Sequence, residues 1–436
     1  MKFFNEEFLD ELAKSVGFLK RQRKITTLSF LNTLLFHAFS KQTLSLNDHL
    51  IDLNQHENII LTKQSLHHRF GSASVAFIKR LVELQCKNQI KDESLMNEIL
   101  TDWDHVYVHD SCQFTLPDCV STYFKGYGGN TKSNSICKIQ HGYDLKSGNL
   151  HIHEYGDASN QDTTSGQKTL DSYGAKDLIL RDLGYFDLKS FNLLNKPDNG
   201  DFVSRLKPKT VIFEISGERI DLGDLYKKMK KNNIACIDKQ VIIGTKKPTE
   251  VRMIITLAPG EVKKERIRKT EKQNKSYGYQ TSKEFKQYAA FNIFITNVDK
   301  QKLSAEHITR LYRLRWQIEI MFKTWKSYYQ IHKFNSYNCY RVLTYLYANL
   351  LLVLINWELS AFFANLGYLQ KQHPLSIMKL MKGCLQYKQV LREWCRKEAS
   401  VIIFELEKMF VNMLQNTVLE KRKKRYNYED IVNSFI

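Results

Sequence analysis

The 436-residue sequence predicts an α/β core, interrupted by a β-rich insertion and flanked by helical regions at both ends. Three observations lead there. Apolar positions recur at helical spacing before about residue 100, and the chain turns helical again after Tyr340. Between these regions, two short apolar runs each close on an acid: Val106-Tyr107-Val108-His109-Asp110 and Leu178-Ile179-Leu180-Arg181-Asp182. Strand patterns alternating with helical ones imply an α/β core. The third observation is a further group of strand patterns from about 204 to 300. The expected division is therefore 1–100, 101–340 with the insertion inside it, and 341–436.

In the first region Leu28, Leu31, Leu34, Leu35 and Ala38 mark one amphipathic helix, its face widened by Phe30 and Phe36. Ser45-Leu46-Asn47-Asp48 offers an N-cap for a second helix. Thr62-Lys63-Gln64-Ser65 offers one for a third, continuing through Leu66-His67-His68-Arg69-Phe70. A short helix, a polar turn and a helix opening on Lys, Gln, Ser, His and Arg read either as a helix-turn-helix or as an ordinary helical hairpin.

In the middle region, Ser135 to Tyr143 and Asn149 to Tyr155 read as strands around the turn at Lys146-Ser147-Gly148-Asn149. His151 and His153 fall on one side of the second, as a metal pair or as two residues on a solvated face. Thr164 to Tyr173 reads as a connecting helix closed by Gly174. The insertion holds strand patterns at Thr210 to Ile215, Val251 to Leu257 and Ala290 to Asn297. Between the last two lies the basic run Lys263-Lys264-Glu265-Arg266-Ile267-Arg268-Lys269, with Tyr277 and Tyr279 after it. Such a run could track a nucleic-acid backbone, or form a solvated loop. The same two readings hold for Lys421-Arg422-Lys423-Lys424-Arg425 near the end.

Composition narrows the function. Hydrophobic content of 43% and aromatic content of 12% fit a folded globular chain. A net charge of +19 suggests a polyanionic partner, most simply nucleic acid, and makes the first region the natural DNA-binding domain. No membrane association is expected. The start carries Glu6 and Glu7 and lacks a signal-peptide pattern. The apolar run Val342 to Trp357 is too short to span a bilayer, holds Asn349 and Asn356, and reads as a buried helix. Eight scattered cysteines without a Cys-x2-Cys pair read as reduced core thiols in a cytoplasmic protein.

The stretch Leu311 to Lys326 contains no Gly or Pro and reads as one continuous helix. At about 100° per residue, Tyr312, Arg315, Glu319 and Lys326 share a stripe roughly 60° wide. Leu311, Leu314, Ile318, Met321, Phe322 and Trp325 form the adjacent apolar face. Asp110, Asp182 and Glu319 then supply two acids at strand ends and one on a helix. That is the donor set of a two-metal phosphoryl-transfer site, in which carboxylates and substrate phosphate complete the shells of Mg²⁺ or Mn²⁺.

Tyr312-x2-Arg315-x3-Glu319-x6-Lys326 resembles the Tyr-Arg-Glu-Lys signature of DDE transposases of bacterial insertion sequences, in the insertion-sequence-four family. Gly184-Tyr185 after Asp182, and the long interval to Glu319, also match that pattern. The resemblance covers about residues 100 to 340. It implies an RNase H-like catalytic core, with Asp110, Asp182 and Glu319 holding the metals. It implies that Tyr312, Arg315 and Lys326 hold phosphates of the transferred end, and that Trp316 stacks on a flipped base or packs. It implies cut-and-paste transfer of terminal inverted repeats into target DNA, through a DNA hairpin, by a homodimer in a synaptic complex. No tryptophan lies between Trp103 and Trp316, where some relatives carry one in the insertion. Tyr277, Tyr279 or Phe291 would have to take its place. The alternatives are a catalytically silent DNA-binding protein and another RNase H-like nuclease.

Overall fold

Strong alternation and consecutive apolar runs put the middle of the chain into one large sheet. A computed structural model describes residues 5–37, 45–89, 100–128, 133–371, 375–394 and 397–419. The basic run at 421–425 lies outside the described residues. The sheet has nine strands: β1 (His105–Thr115), β2 (Ile136–Asp144), β3 (Leu150–Asp157), β4 (Asp177–Arg181), β5 (Asp201–Arg205), β6 (Ile212–Phe213), β7 (Cys236–Ile243), β8 (Thr249–Leu257) and β9 (Phe291–Thr296). Their spatial order is β3-β2-β1-β4-β5-β9-β8-β7-β6.

The first five strands form a mixed half. β1 runs antiparallel to β2, which runs antiparallel to β3, while β4 and β5 run parallel to β1. All five residues of β4 are buried, as its apolar run demands of a parallel strand covered on both faces. The insertion strands continue this sheet, because β9 returns to pair antiparallel with β5. The insertion also contains helices at Leu222–Lys231, Gly260–Ser276 and Lys283–Tyr288. The basic run at 263–269 is therefore helical. The loop reading gives way because the segment holds no Gly or Pro between Gly260 and Ser276.

The first region forms helices Glu6–Ser15, Thr27–His37, Leu46–Glu57, Lys63–His67 and Ser72–Lys87. Ser45 caps its helix with Asp48 in a capping box, and Thr62 caps the next by accepting from the Ser65 amide. That helix stops after five residues. Arg69 and Phe70 make three-residue turns to Leu66 and His67, and extended Gly71 redirects the chain into Ser72–Lys87. Lys63, Gln64, Ser65 and His68 are exposed, whereas Arg69 and His67 are engaged within the fold. Arg69 donates to the Ile25 carbonyl (3.3 Å), and the His67 ring contacts the Arg341 guanidinium (2.8 Å).

The apolar run at 342–357 is part of a 33-residue helix, Cys339–Lys371, longer than the run itself. By length and composition this helix could cross a membrane, but most of its apolar window is buried in the fold. Buried Asn356 and nearly buried Asn349 lie on it. One apolar core joins this helix, the first-region helices and one face of the sheet, through residues such as Phe77, Val108, Trp325 and Leu346. A second core packs the opposite face and the insertion around Ile179, Phe191, Val241 and Phe291.

Candidate active site

Asp110 and Asp182 are brought together by the register of β1 on β4. His109 pairs with Arg181, so the next residues, Asp110 and Asp182, leave the ladder side by side on the face opposite His109 and Arg181. Asp182 follows the last residue of β4, as its sequence pattern indicates, and caps the turn Leu183–Tyr185 by accepting from the Gly184 amide (3.4 Å). Asp110 lies in mid-strand, not at a strand end. β1 loses its parallel partner after His109 but keeps pairing with β2 as far as Thr115.

Glu319 reaches the same place from a helix. The stretch 311–326 is two helices, Ala305–Arg313 and Trp316–Ser327, rather than one. At the junction the amides of Leu314, Arg315, Gln317 and Ile318 bond three residues back instead of four, which tightens the chain into a 3₁₀ turn. Backbone dihedrals stay right-handed at Leu314 and Arg315, so the axis continues while the phase changes.

The Arg315 guanidinium sits among all three carboxylates. Nη1 lies 3.2 Å from Asp110 Oδ2, Nε 3.6 Å from Asp182 Oδ1, and Nη2 2.5 Å from Glu319 Oε1. Asp110 also accepts from the Ser111 amide (2.8 Å). Burial, aided by the negative charges of Asp182 and Glu319, raises the Asp110 carboxyl to about 6, against the opposing pull of Ser111 N–H and Arg315. Burial works against charge on Arg315 as well, but Asp182, Tyr312 and Glu319 hold its pKa above the ordinary value.

The other stripe residues diverge. Tyr312 is 8% exposed, donates its hydroxyl to the Arg181 carbonyl (3.2 Å), and places its ring 5.9 Å from the Arg315 guanidinium carbon. It braces Arg315 and β4 from within the fold. Lys326 reaches β1 beyond the acids, donating to the Gln113 carbonyl (2.9 Å). Trp316, 56% exposed, stands on the surface next to Arg315. Phe291 is fully buried in β9 and cannot stack on a base, whereas Tyr277 and Tyr279 are exposed.

His151 and His153 share a face, as their alternation requires, but neither lies on a solvated surface. They pack against Tyr107 and His109, and burial lowers both pKa values, that of His153 to about 4. Three residues of the site region carry no sequence signal of their own: Gln140 on β2, Asp162 on the helix Asp162–Lys168, and Tyr185. Only the Gly-Tyr pair after Asp182 pointed toward the last.

Three acids, from two neighbouring strands and one helix, are thus gathered about one cation. The chain belongs to the family described as Transposase DDE domain, whose sequence profile matches residues 93–355. It is similar to the transposase for insertion sequence element IS231F of Bacillus thuringiensis subsp. israelensis, 27% identical over 405 residues, 89% of this chain and 83% of the relative. It is similar to the transposase for IS231C of Bacillus thuringiensis subsp. berliner, 26% identical, covering 98% of this chain and 93% of the relative. The transposase for IS1151 of Clostridium perfringens is 28% identical, over 88% of this chain and 84% of the relative. Among solved structures it is similar to a piggyBac transposase synaptic complex with hairpin DNA, at 11% identity and TM-score 0.44, over 98% of this chain and 86% of that one.

The protein is thus a DDE transposase of the bacterial insertion-sequence type, an enzyme of divalent-metal-dependent DNA cleavage and strand transfer. The donor chemistry of the three acids fits such ions: hard carboxylate oxygens already surround a positive charge. As they stand they spread around the guanidinium, and among the described residues no three acids, histidines or cysteines close on one point as metal ligands. Filling the centre with a metal ion requires Arg315 to leave it.

Proposed function

We propose that this transposase binds the terminal inverted repeats of its own element, cleaves there, and joins the freed ends to target DNA by a cut-and-paste route. The observation that carries the reading is the convergence of Asp110, Asp182 and Glu319 on one guanidinium. In this reading β3-β2-β1-β4-β5 is an RNase H-like core. An antiparallel meander followed by two strands parallel to the first supports that assignment. The helices of residues 1–100 form the DNA-binding domain, 101–340 the catalytic core with its insertion, and 341–436 the C-terminal helical domain.

Asp110, Asp182 and Glu319 would hold Mg²⁺ or Mn²⁺, and bound ions supply charge stabilisation at the attacking and leaving oxygens of an in-line displacement. Arg315 turns from the carboxylates toward the DNA phosphate as they are taken up, and its planar fork suits that partner. Lys326 meets the backbone further along β1, and Trp316 offers an exposed indole for a base beside the scissile position. Tyr312 acts through Arg315, since its own hydroxyl is spent on the Arg181 carbonyl.

The insertion favours DNA as well. Residues 204–300 hold 22 Lys and Arg against 11 Asp and Glu, a large share of the basic excess of the whole chain. A hairpin step would rely on Trp316, Tyr277 or Tyr279. The working assembly is a homodimer on two ends, in the cytoplasm on the nucleoid.

The test is Asp182→Asn, which keeps shape and removes one charge. It should abolish nicking of an inverted-repeat substrate while gel shifts show end binding retained. Near-normal cleavage by the variant would refute the assignment.

A further inference from the structure

We propose that Tyr185, Gln140 and Asp162 form a positioning relay that sets where the Asp182 carboxylate stands, an inference that rests on the assignment of Asp182 as a metal ligand. Asp182 is the first residue past β4, and nothing in the ladder fixes it. Its place depends on the turn Leu183–Tyr185. That turn is held from the opposite face of the sheet.

Tyr185 is 1% exposed, and its ring stacks on His109 of β1 at 4.5 Å between centroids. Its hydroxyl bonds Gln140 Oε1 on β2. Gln140 Nε2 in turn donates to Asp162 Oδ1 (3.2 Å), which also pairs with Lys138 Nζ (2.8 Å). Lys138 is fastened independently to the Asn160 carbonyl (2.8 Å).

The direction of every bond is fixed by chemistry. An ionised carboxylate can only accept, so Gln140 must present its amide N–H₂ to Asp162. Its carbonyl oxygen is then the end facing Tyr185, and the phenol must donate. The amide cannot flip without breaking both bonds at once, one of them fully buried.

Close packing transmits this register to the Asp182 turn. A Cβ on Gly184 would lie 3.2 Å from Asp162 Oδ2, so the carboxylate is against the turn backbone. A Cβ on Gly166 would lie 2.4 Å from Arg181 Nη2 and 2.8 Å from Tyr185 Cδ1, so the helix carrying Asp162 also presses on both neighbours of the turn. Side chains that orient metal ligands without touching the metal typically change metal affinity by about 10- to 100-fold when altered.

The experiment measures Mn²⁺ binding to the DNA-free protein by electron paramagnetic resonance, with melting temperature and end binding alongside. Tyr185→Phe removes one hydroxyl and keeps the stacked ring. It should weaken Mn²⁺ binding about tenfold, raise the Mg²⁺ concentration for half-maximal nicking in proportion, and leave end binding intact. The double variant Gln140→Met/Tyr185→Phe leaves no unpaired polar atom. It should regain melting temperature but not Mn²⁺ affinity. Tyr329→Phe, which removes a buried hydroxyl bonded to the Met381 carbonyl and not to the relay, should lower melting temperature only.

Asp182→Asn separates the two layers of the argument. If it leaves Mn²⁺ binding unchanged, the assignment of the site itself fails. If it abolishes binding while Tyr185→Phe stays within twofold of the parent, or the double variant recovers Mn²⁺ affinity together with stability, the relay is purely structural and the inference is overturned.

Discussion

Asp110→Asn gives the sharpest test of the electrostatics at the acidic centre. Burial and the two neighbouring acids raise the Asp110 carboxyl from 3.8 to about 6 in the folded protein. A carboxyl whose pKa rises on folding favours the fold when protonated. Its contribution is complete below about pH 4 and is lost as pH climbs through about 6. Above that window the ionised group is held at a cost. That rise corresponds to about 3 kcal/mol. Asparagine keeps the shape and can still accept from Ser111 N–H and Arg315. Without metal, the variant should therefore be more stable than the parent at pH 8 by up to about 3 kcal/mol and equal to it near pH 4. Denaturant unfolding at the two pH values, with and without Mg²⁺, measures this. Mg²⁺ should stabilise the parent and not the variant, and nicking should be lost. A variant less stable than the parent at pH 8, or a gap unchanged between the two pH values, would refute the reasoning.

Other expectations follow from the same geometry. Arg315→Gln should abolish strand transfer yet tighten Mn²⁺ binding to the DNA-free protein, because a competing cation is gone; weaker Mn²⁺ binding in a resonance titration would contradict this. Lys326→Ala should weaken strand transfer and lower the salt dependence of end binding by roughly one phosphate contact, read from gel shifts across salt concentrations. Leu314→Lys puts a cation at a fully buried position and should cost several kcal/mol in denaturant unfolding with no specific effect on salt slope. Arg392→Leu leaves Asp52, which it holds at 2.7 and 2.9 Å, and Glu57 at 3.2 Å without their buried cation. It should destabilise the protein by about 3–5 kcal/mol at neutral pH.

How much was legible in the sequence depended on whether the information was local. The strand ending before Asp182 was visible, because five consecutive residues of β4 all bury and the run is short. β7 was not. Its centre, Asp238-Lys239-Gln240, lacks an apolar strand pattern, and Arg252 of β8 holds Asp238 there through Nε and Nη2 at 2.8 and 2.7 Å. The two readings after Thr62, helix-turn-helix and helical hairpin, rest on residue types alone. Nothing local reveals that Arg69 would turn to the Ile25 carbonyl or that the helix would stop at His67. The relay of Gln140, Asp162 and Tyr185 was invisible for a similar reason: three common residue types, each separated by more than 20 positions, meet only through sheet register and a helix crossing.

The four-residue stripe on 311–326 survives only in part, because the helix carrying it is broken. In the 3₁₀ turn at Leu314–Arg315 residues advance by about 120° rather than 100°, so positions before and after it fall out of phase. Tyr312 lies before the turn and rotates into the fold, to the Arg181 carbonyl. Arg315 and Glu319 both lie at or after it, so their four-residue spacing survives and their side chains meet. The break also gives Glu319 something a continuous helix would withhold. It places that acid in the first turn of Trp316–Ser327, where the positive end of the helix dipole favours a carboxylate by about 0.3–1 kcal/mol. The absence of Gly and Pro argues against such an interruption, yet the break leaves the Arg315–Glu319 pair intact and sets the acid at a helix N-terminus.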